Sequence, residues 1–242
     1  MDDILKLQNI TMDFGGLRAV DSLNITIKKG EILALIGPNG AGKSTVFNCV
    51  AGVYKPTGGE IYFQNKKIAG KKPWNLCEIG LARTFQIVKP FPSKTVLYNV
   101  MTASFLKTSS IKIAEKKAID ILKLFDFEDK KNIKAGNLTI ADLKRLEIAK
   151  AMATEPKLLL LDEVMAGLRP SEVDDMVSII KKVRDGGVTI FVIEHIMRAI
   201  MALSDKITVI QFGKKIAQGL PAEIAKNEQV IKAYLGDDYD LS

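Results

Sequence analysis

The sequence contains very few metal-ligating and disulfide-forming residues. Among its 242 residues are 2 cysteines and 1 histidine. Cys49 and Cys77 stand far apart and have only His195 with which to share a metal, so a zinc site is not expected. The opening MDDILKL is acidic where a signal peptide would be positively charged. We therefore expect a cytoplasmic protein whose thiols stay reduced.

Long apolar runs are also lacking. A membrane-spanning helix needs about 18 or more consecutive apolar residues, and no such run occurs in the sequence. The nearest candidate, residues 188–203, is interrupted by Glu194, His195 and Arg198. If the protein works at a membrane, another chain must supply the spanning segments.

The charge excess is moderate and dispersed. Lysine and arginine number 35 against 28 acidic residues, and a net charge of +7 is compatible with a nucleic-acid or anionic membrane partner. The basic residues, however, come mostly as doublets separated by acids, as at Lys28-Lys29 and Lys130-Lys131. That pattern is typical of a solvated surface. We expect no nucleic-acid partner.

The hydrophobic pattern predicts a folded α/β protein. Hydrophobic residues make up 47% of the sequence and charged residues 26%, values that exclude a disordered chain. Apolar strands alternating with helices indicate a parallel sheet covered on both faces. We predict one domain, with an α/β core over residues 1–86 and 155–242 and a helical insert at about 87–154. The predicted strands are 4–12, 23–27, 31–36, 59–63, 157–161 and 188–193, and the predicted helices include 96–106, 113–125, 140–153 and 171–183.

The strongest motif is GPNGAGKS at residues 37–44. It follows an apolar strand and precedes a helix, which is the context of a phosphate-binding loop. Its glycines let backbone N–H groups turn toward phosphate oxygens, and the helix N-terminus adds positive potential. Lys43 is expected to reach the β- and γ-phosphates, and the Ser44 hydroxyl to hold Mg²⁺. The predicted nucleotide-binding residues are Gly37, Pro38, Asn39, Gly40, Ala41, Gly42, Lys43, Ser44 and Thr45.

A second motif, LLLLDE at residues 158–163, ends a buried strand in two acids. Asp162 can bind Mg²⁺, and Glu163, pointing the other way, can accept a proton from an attacking water. Acids also terminate strands for purely structural reasons, and that alternative stays open. A guanine-reading Asn-Lys-x-Asp motif is absent from the sequence, which favours ATP hydrolysis over GTP hydrolysis.

The order of these motifs resembles the ATP-binding subunits of ABC transporters over nearly the whole chain. In particular it is similar to the LivG-type ATPases of branched-chain amino acid importers, in the segments RTFQ, KRLEIAKAM, DEVMAGLRP, IEHIM and VIKAYLG. The resemblance implies a P-loop NTPase core of RecA-like type, with an N-terminal antiparallel β subdomain and an inserted helical subdomain. It also implies that the protein uses ATP and Mg²⁺.

The resemblance assigns roles to three further residues. Phe14 matches the aromatic residue that stacks on adenine. Gln86 matches the glutamine that couples Mg²⁺ and the attacking water to the transmembrane partner, and His195 the histidine that touches the γ-phosphate. Each residue also has an ordinary structural explanation. Phe14 could pack within a strand, Gln86 could be a surface glutamine, and His195 could be a buried core residue.

The family's signature sequence is altered in this chain. Where Leu-Ser-Gly-Gly-Gln is expected, the sequence reads Leu138-Thr139-Ile140-Ala141-Asp142. In the family, two subunits pack head to tail and this segment closes over ATP held by the partner. Thr139 keeps the hydroxyl, but Ala141 adds a methyl group and Asp142 a carboxylate near an anion, so the contact should be weakened. A Thr-x-x-Asp capping box is an equally open structural explanation.

The resemblance implies a complete transport system. Its members would be a second ABC ATPase subunit, identical or related, membrane permease subunits and a solute-binding protein, with this chain on the inner face of the cell membrane. ATP-dependent dimerisation would energise import of branched-chain or other hydrophobic amino acids. The alternatives are urea, amide or lipopolysaccharide transport, a soluble ABC ATPase acting on ribosomes or DNA, and a nucleotide-binding regulator without turnover.

Overall fold

A computed structural model describes residues 2–85 and 88–235 of the chain. Its strands form two sheets, and helices fill the connections between the strands of the second sheet. In chain order the strands are β1 (Asp3–Phe14), β2 (Leu17–Lys28), β3 (Ile32–Ile36), β4 (Gly58–Phe63), β5 (Lys66–Lys67), β6 (Leu81–Arg83), β7 (Leu158–Asp162), β8 (Thr189–Ile193), β9 (Lys206–Gln211) and β10 (Lys214–Gly219). The helices are α1 (Lys43–Val50), α2 (Pro73–Glu78), α3 (Val96–Ser104), α4 (Ile111–Leu124), α5 (Ile140–Met152), α6 (Pro170–Asp185), α7 (Met197–Leu203), α8 (Pro221–Ile224) and α9 (Glu228–Leu235).

The larger sheet has the strand order β10-β9-β3-β8-β7-β6. Its strands run parallel from β9 to β6, and β10 pairs antiparallel with β9. Strands β3, β7 and β8 are buried at every position, because alternate side chains enter two different cores. In β3, Ala34 packs against the helices while Leu33 and Leu35 pack against α1 and the smaller sheet. The prediction of a parallel sheet covered on both faces is confirmed.

The smaller sheet is antiparallel, with the order β2-β1-β4-β5. Its long strands β1 and β2 largely alternate buried and exposed residues, as expected of a sheet with one face in the core. The two strands meet in a tight hairpin, in which Phe14 pairs with Leu17 across a turn where Gly15 takes φ 58°. Phe14 is the last residue of β1, directly before this turn.

Helices α3, α4 and α5 lie between β6 and β7 in the chain. Their beginnings are fixed by capping hydroxyls: Thr95 accepts from the Tyr98 N–H at 3.1 Å, and Ser110 from the Ile113 N–H at 3.4 Å. The three predicted helices of this region match α3, α4 and α5 closely. The predicted domain boundary at residues 86 and 87 lies outside the described residues and stays a prediction.

Nothing in the described ranges could serve as a membrane-spanning helix, because no helix there is both long enough and apolar enough.

Candidate nucleotide-binding and catalytic site

Residues from five separate parts of the chain meet in one open pocket of about 490 Å³. The pocket lies where β3, β7 and β8 end, the edge at which open parallel sheets bind ligands. Residues 39–45 of the glycine-rich loop form its floor. Phe14 closes one side, and Glu163 and His195 lie on the other. The structure therefore brings together most of the residues that the sequence predicted.

Two glycines hold the loop in a shape that other residues cannot adopt. A Cβ at Gly37 would lie 2.0 Å from the Ile210 carbonyl oxygen, and one at Gly42 would lie 2.4 Å from the Ala19 carbonyl oxygen. Gly42 also takes φ 100° at the N-cap of α1. With no side chain to cap the helix, the N–H groups of its first turn are available to an anion.

Lys43 lies over this loop with its side chain buried. Its ammonium donates hydrogen bonds to the carbonyl oxygens of Gly37 at 2.7 Å and Pro38 at 2.9 Å. Burial lowers the pKa of Lys43, and the nearby charge of Glu163 opposes that shift. A buried ammonium that donates to neutral carbonyls is well placed to exchange them for an anionic ligand.

Asp162, the last residue of β7, and Glu163, which follows it, line different pockets. Asp162 lines a neighbouring pocket of about 480 Å³, and Ser44 lines both pockets. The Asp162 carboxylate is buried and accepts a hydrogen bond from Arg83 at 3.1 Å. Burial raises the pKa of Asp162, and the charge of Arg83 partly offsets the rise. Arg83, which also donates to Asn48 at 2.8 Å, was not identified from the sequence.

Glu163 and His195 form a direct pair. His195 Nε2 and Glu163 Oε1 are 2.5 Å apart, with the imidazole donating to the carboxylate. The backbone of Glu163 takes φ 50°, a left-handed conformation that is uncommon for non-glycine residues. The His195 side chain is 44% exposed, which excludes the alternative of a buried core histidine.

Glu194, the residue before His195, holds the backbone on both sides of this pair. It was not identified from the sequence. It is only 2% exposed, and its carboxylate accepts hydrogen bonds from the backbone N–H of Met165 at 2.7 Å and of His195 at 3.3 Å. Burial raises the pKa of Glu194, and these two N–H groups oppose the rise. Because it ties the end of β8 to the segment after β7, Glu194 fixes the spacing of Glu163 and His195.

Phe14 is 42% exposed, with its ring edge-to-face against Tyr54 at a centroid distance of 5.4 Å. The alternative of an ordinary strand-packing residue does not fit this exposure. Leu17 and Phe212 line the same pocket and are 67% and 82% exposed. The sequence analysis did not identify these two, because neither belongs to a recognisable motif. Gln86, the remaining predicted catalytic residue, lies outside the described residues.

The altered signature lies at the start of α5, away from the loop. Within the described residues, the lining of the 490 Å³ pocket includes none of residues 138–142. Thr139 caps α5 by accepting a hydrogen bond from the Asp142 N–H at 3.2 Å, while Ile140 is 63% exposed. Farther along the helix, the Lys144 ammonium donates to the Glu163 carbonyl oxygen at 2.9 Å. Helix α5 is thus tied directly to the strand end that carries the acids.

Curated relatives match nearly the whole chain. It is 40% identical over 250 residues to the high-affinity branched-chain amino acid transport ATP-binding protein BraF of Pseudomonas aeruginosa, covering 97% of this chain and 98% of the relative. The LivG protein of Escherichia coli K12, which carries the same description, matches with the same identity and coverage. A probable LivG protein of Archaeoglobus fulgidus is 35% identical over 245 residues, with 96% and 95% covered.

Solved structures match the fold. A nucleotide-free ATP-binding cassette from an ABC transporter superposes with a TM-score of 0.88 at 30% identity, covering 98% of this chain and all of the other. The ADP conformation of the cassette MJ1267 gives a TM-score of 0.89 at 31% identity with the same coverage. The dimeric cassette MJ0796 gives 0.80 at 27% identity, with 90% and 99% covered. The fold and site thus define a nucleotide-binding cassette, and the predicted fold class is confirmed.

The family profiles give the same assignment. The profile described as ABC transporter matches residues 20–166, and that of the branched-chain amino acid ATP-binding cassette transporter matches residues 214–240. This chain therefore belongs to the ABC transporter family. It is the ATPase subunit of such a transporter, as the sequence predicted.

Proposed function

We propose that this chain binds and hydrolyses ATP in the pocket at residues 37–45 and thereby drives import of branched-chain or other hydrophobic amino acids through a membrane permease. The observation that carries the proposal is the convergence of Lys43, Glu163 and His195 on one open pocket beside a glycine-constrained loop. Each group stands where hydrolysis of a nucleoside triphosphate requires it: a cation for the phosphates, a base for the water and a hydrogen-bond donor beside that base.

Binding begins with the loop. The uncapped first turn of α1 and backbone N–H groups of the loop after Pro38 receive the phosphates, and the ammonium of Lys43 leaves its carbonyl partners for phosphate oxygens. Thr45 lines the same surface. The exposed ring of Phe14 offers its face to the adenine base.

The residues around Ser44 fit a magnesium ion. The Ser44 hydroxyl and the Asp162 carboxylate line one pocket, and both supply the oxygen ligands that this ion prefers. When bound, Mg²⁺ neutralises phosphate charge. Gln86 is proposed to contact the same ion, and Arg83 to balance Asp162 when the ion is absent.

Hydrolysis is assigned to Glu163 and His195. The Glu163 carboxylate takes a proton from the attacking water, in the role of general base. His195, which donates to that carboxylate at 2.5 Å, holds it in position and turns its Nε2–H toward the γ-phosphate when nucleotide is present. Gln86 is proposed to link these events to the permease.

The assembly is proposed to contain two ATPase subunits, permease subunits and a solute-binding protein, with this chain on the inner face of the cell membrane. One solved cassette that matches the fold is a dimer. In such a dimer, Thr139, Ile140, Ala141 and Asp142 at the start of α5 would close over ATP held by the partner's loop. The names of the BraF and LivG relatives and the match at residues 214–240 support branched-chain amino acids as the solute.

The proposal is tested by transport in vesicles. The transporter is purified through a tag on this chain, reconstituted with ATP inside, and assayed for uptake of labelled leucine and for phosphate release. Glu163→Gln should lower phosphate release by about 100-fold or more, since it removes the base, and should abolish uptake. Glu155→Gln is the matched control, because Glu155 is an exposed acid that pairs with Lys117 away from the pocket. Equal phosphate release by Glu163→Gln and the unmodified protein would refute the assignment.

A further inference from the structure

The carboxylate of Asp142 is held by a lysine that the sequence analysis did not connect with it. The Lys130 ammonium lies 2.9 Å from Oδ1 and 2.7 Å from Oδ2 of Asp142. The Asp142 side chain is 10% exposed and that of Lys130 34%. Lys130 also lies 5.8 Å from the ring centre of Phe127, which is fully buried. The ion pair is therefore anchored on the core and largely shielded from water.

This contact corrects the predicted capping box. Thr139 does cap the helix, since its hydroxyl accepts the Asp142 N–H. The reciprocal bond, from the Thr139 N–H to the Asp142 carboxylate, does not occur among the hydrogen bonds of residues 2–85 and 88–235. Both carboxylate oxygens turn to Lys130 instead. Helix capping alone therefore does not explain the aspartate.

The ion pair changes the electrostatics expected of the altered signature. A single carboxylate in the first turn of α5 would oppose the positive potential of the helix and repel an incoming phosphate. Lys130 cancels most of that charge. Among the described residues, the other charges near Lys130 include Glu128 and Lys131, which pair at 3.7 Å, and Arg145 of α5, whose guanidinium also lies 5.8 Å from the Phe127 ring centre.

We infer that Lys130 is a positioning residue for the nucleotide cycle: it neutralises Asp142 so that the altered signature face of α5 can still close over the triphosphate bound by the partner subunit. The inference rests on the proposed function, since it concerns the face assigned there to the partner's ATP. It replaces the expectation that Asp142 weakens this contact by its charge. The methyl group of Ala141 remains as the other departure from the family pattern.

The test is a double-mutant cycle in the purified transporter. Lys130→Met keeps the aliphatic stem and removes the charge, and Asp142→Asn keeps the shape and removes the carboxylate. Lys130→Met should lower the kcat for ATP by about tenfold, because Asp142 then faces the phosphates unpaired. The double variant should recover most of the kcat that Lys130→Met loses, because no carboxylate is then left unpaired. The defect of Lys130→Met should shrink as potassium chloride is raised, since salt screens the repulsion.

Lys131→Met is the matched control, because Lys131 is the other member of the doublet and pairs with Glu128 rather than with Asp142. A merely structural ion pair would give a different result: kcat would fall and recover in parallel with the melting temperature of each variant, and added salt would not reduce the defect. That result, or an unchanged kcat in Lys130→Met, would overturn the inference. Failure of the proposed function would give a different result. In that case phosphate release by the unmodified transporter would be no greater than that by Glu163→Gln.

Discussion

The glycine-rich loop and the start of α5 are both helix N-termini, but the chain builds them in opposite ways. At α1 the N-cap is Gly42, which has no side chain, so the first-turn N–H groups stay available. At α5 the N-cap is Thr139, whose hydroxyl already occupies the Asp142 N–H, and a lysine–aspartate pair stands beside it. A capping side chain competes with an external anion for the same N–H groups. The loop therefore leaves its N–H groups available to phosphate, whereas a capping side chain already stabilises the start of α5.

The electrostatics of the two regions differ in the same way. In the loop, the Lys43 ammonium is buried against neutral carbonyls, and burial lowers its pKa. At α5, the Lys130 ammonium already has a carboxylate partner. A bound anion is stabilised much more by the Lys43 ammonium than by the Lys130 ammonium, because the Lys130–Asp142 pair carries no net charge. The comparison thus predicts large effects of substitutions in the loop and small ones at α5.

The largest expected effect is that of Lys43→Ala. Removing the ammonium should weaken ATP binding by roughly 100-fold, since charge-assisted hydrogen bonds to the phosphates are lost. Isothermal titration calorimetry with ATP and Mg²⁺ measures the Kd. Lys66→Ala, at an exposed lysine of β5, is the control and should bind normally. If Lys43→Ala bound ATP as tightly as the control, the loop would not be the phosphate site.

A smaller effect is expected from Phe14→Ala. Loss of the ring should weaken ATP binding by about tenfold, in line with the contribution of base–aromatic stacking. The same titration measures it. Phe91→Ala is a close match, because Phe91 is 53% exposed and also sits edge-to-face on a tyrosine, Tyr98, at 6.5 Å. Equal loss in both variants would show that the effect is one of stability and not of adenine binding.

The smallest effect is expected at α5 itself. Ala141→Gly should raise the ATPase rate of the transporter by about twofold to threefold, because it removes a methyl group where backbone approaches phosphate. Adding Asp142→Gln should contribute little, since Lys130 already balances the carboxylate. Phosphate release is measured alongside melting temperature. Ala222→Gly, at the same first-turn position of α8, controls for the cost of glycine in a helix. If Ala141→Gly gave no gain in ATPase rate, the methyl group of Ala141 would not impair hydrolysis.

The parts of the fold that follow from local pattern were predictable. Strands β3, β7 and β8 are continuous apolar runs, and α3, α4 and α5 carry a helical period, so their positions were found closely. The short strand β6, of three residues, has too little pattern to be seen. The elements beyond β8 were not assigned, since β10 is an edge strand without buried residues and α7, α8 and α9 are short.

The candidate site likewise contains residues that a local pattern identifies and residues that only the fold brings in. Its motif residues, such as Lys43 and Asp162, were identified because their spacing is fixed along the chain. Their supporting partners were not. Arg83 and Glu194 reach the site from other elements, and Lys130 meets Asp142 across a turn. Such contacts between distant residues depend on the packing of whole elements, which no local sequence pattern encodes.

The proposed function requires that a triphosphate and its magnesium ion lie between residues 37–45 and the acids Asp162 and Glu163 at the end of β7. The most direct measurement is a crystal structure of the Glu163→Gln variant grown with ATP and Mg²⁺. The account predicts phosphates within the loop, the Lys43 ammonium on phosphate oxygens instead of the Gly37 and Pro38 carbonyls, and the ion beside Ser44 and Asp162. A nucleotide bound elsewhere, with Lys43 still on those carbonyls, would contradict it.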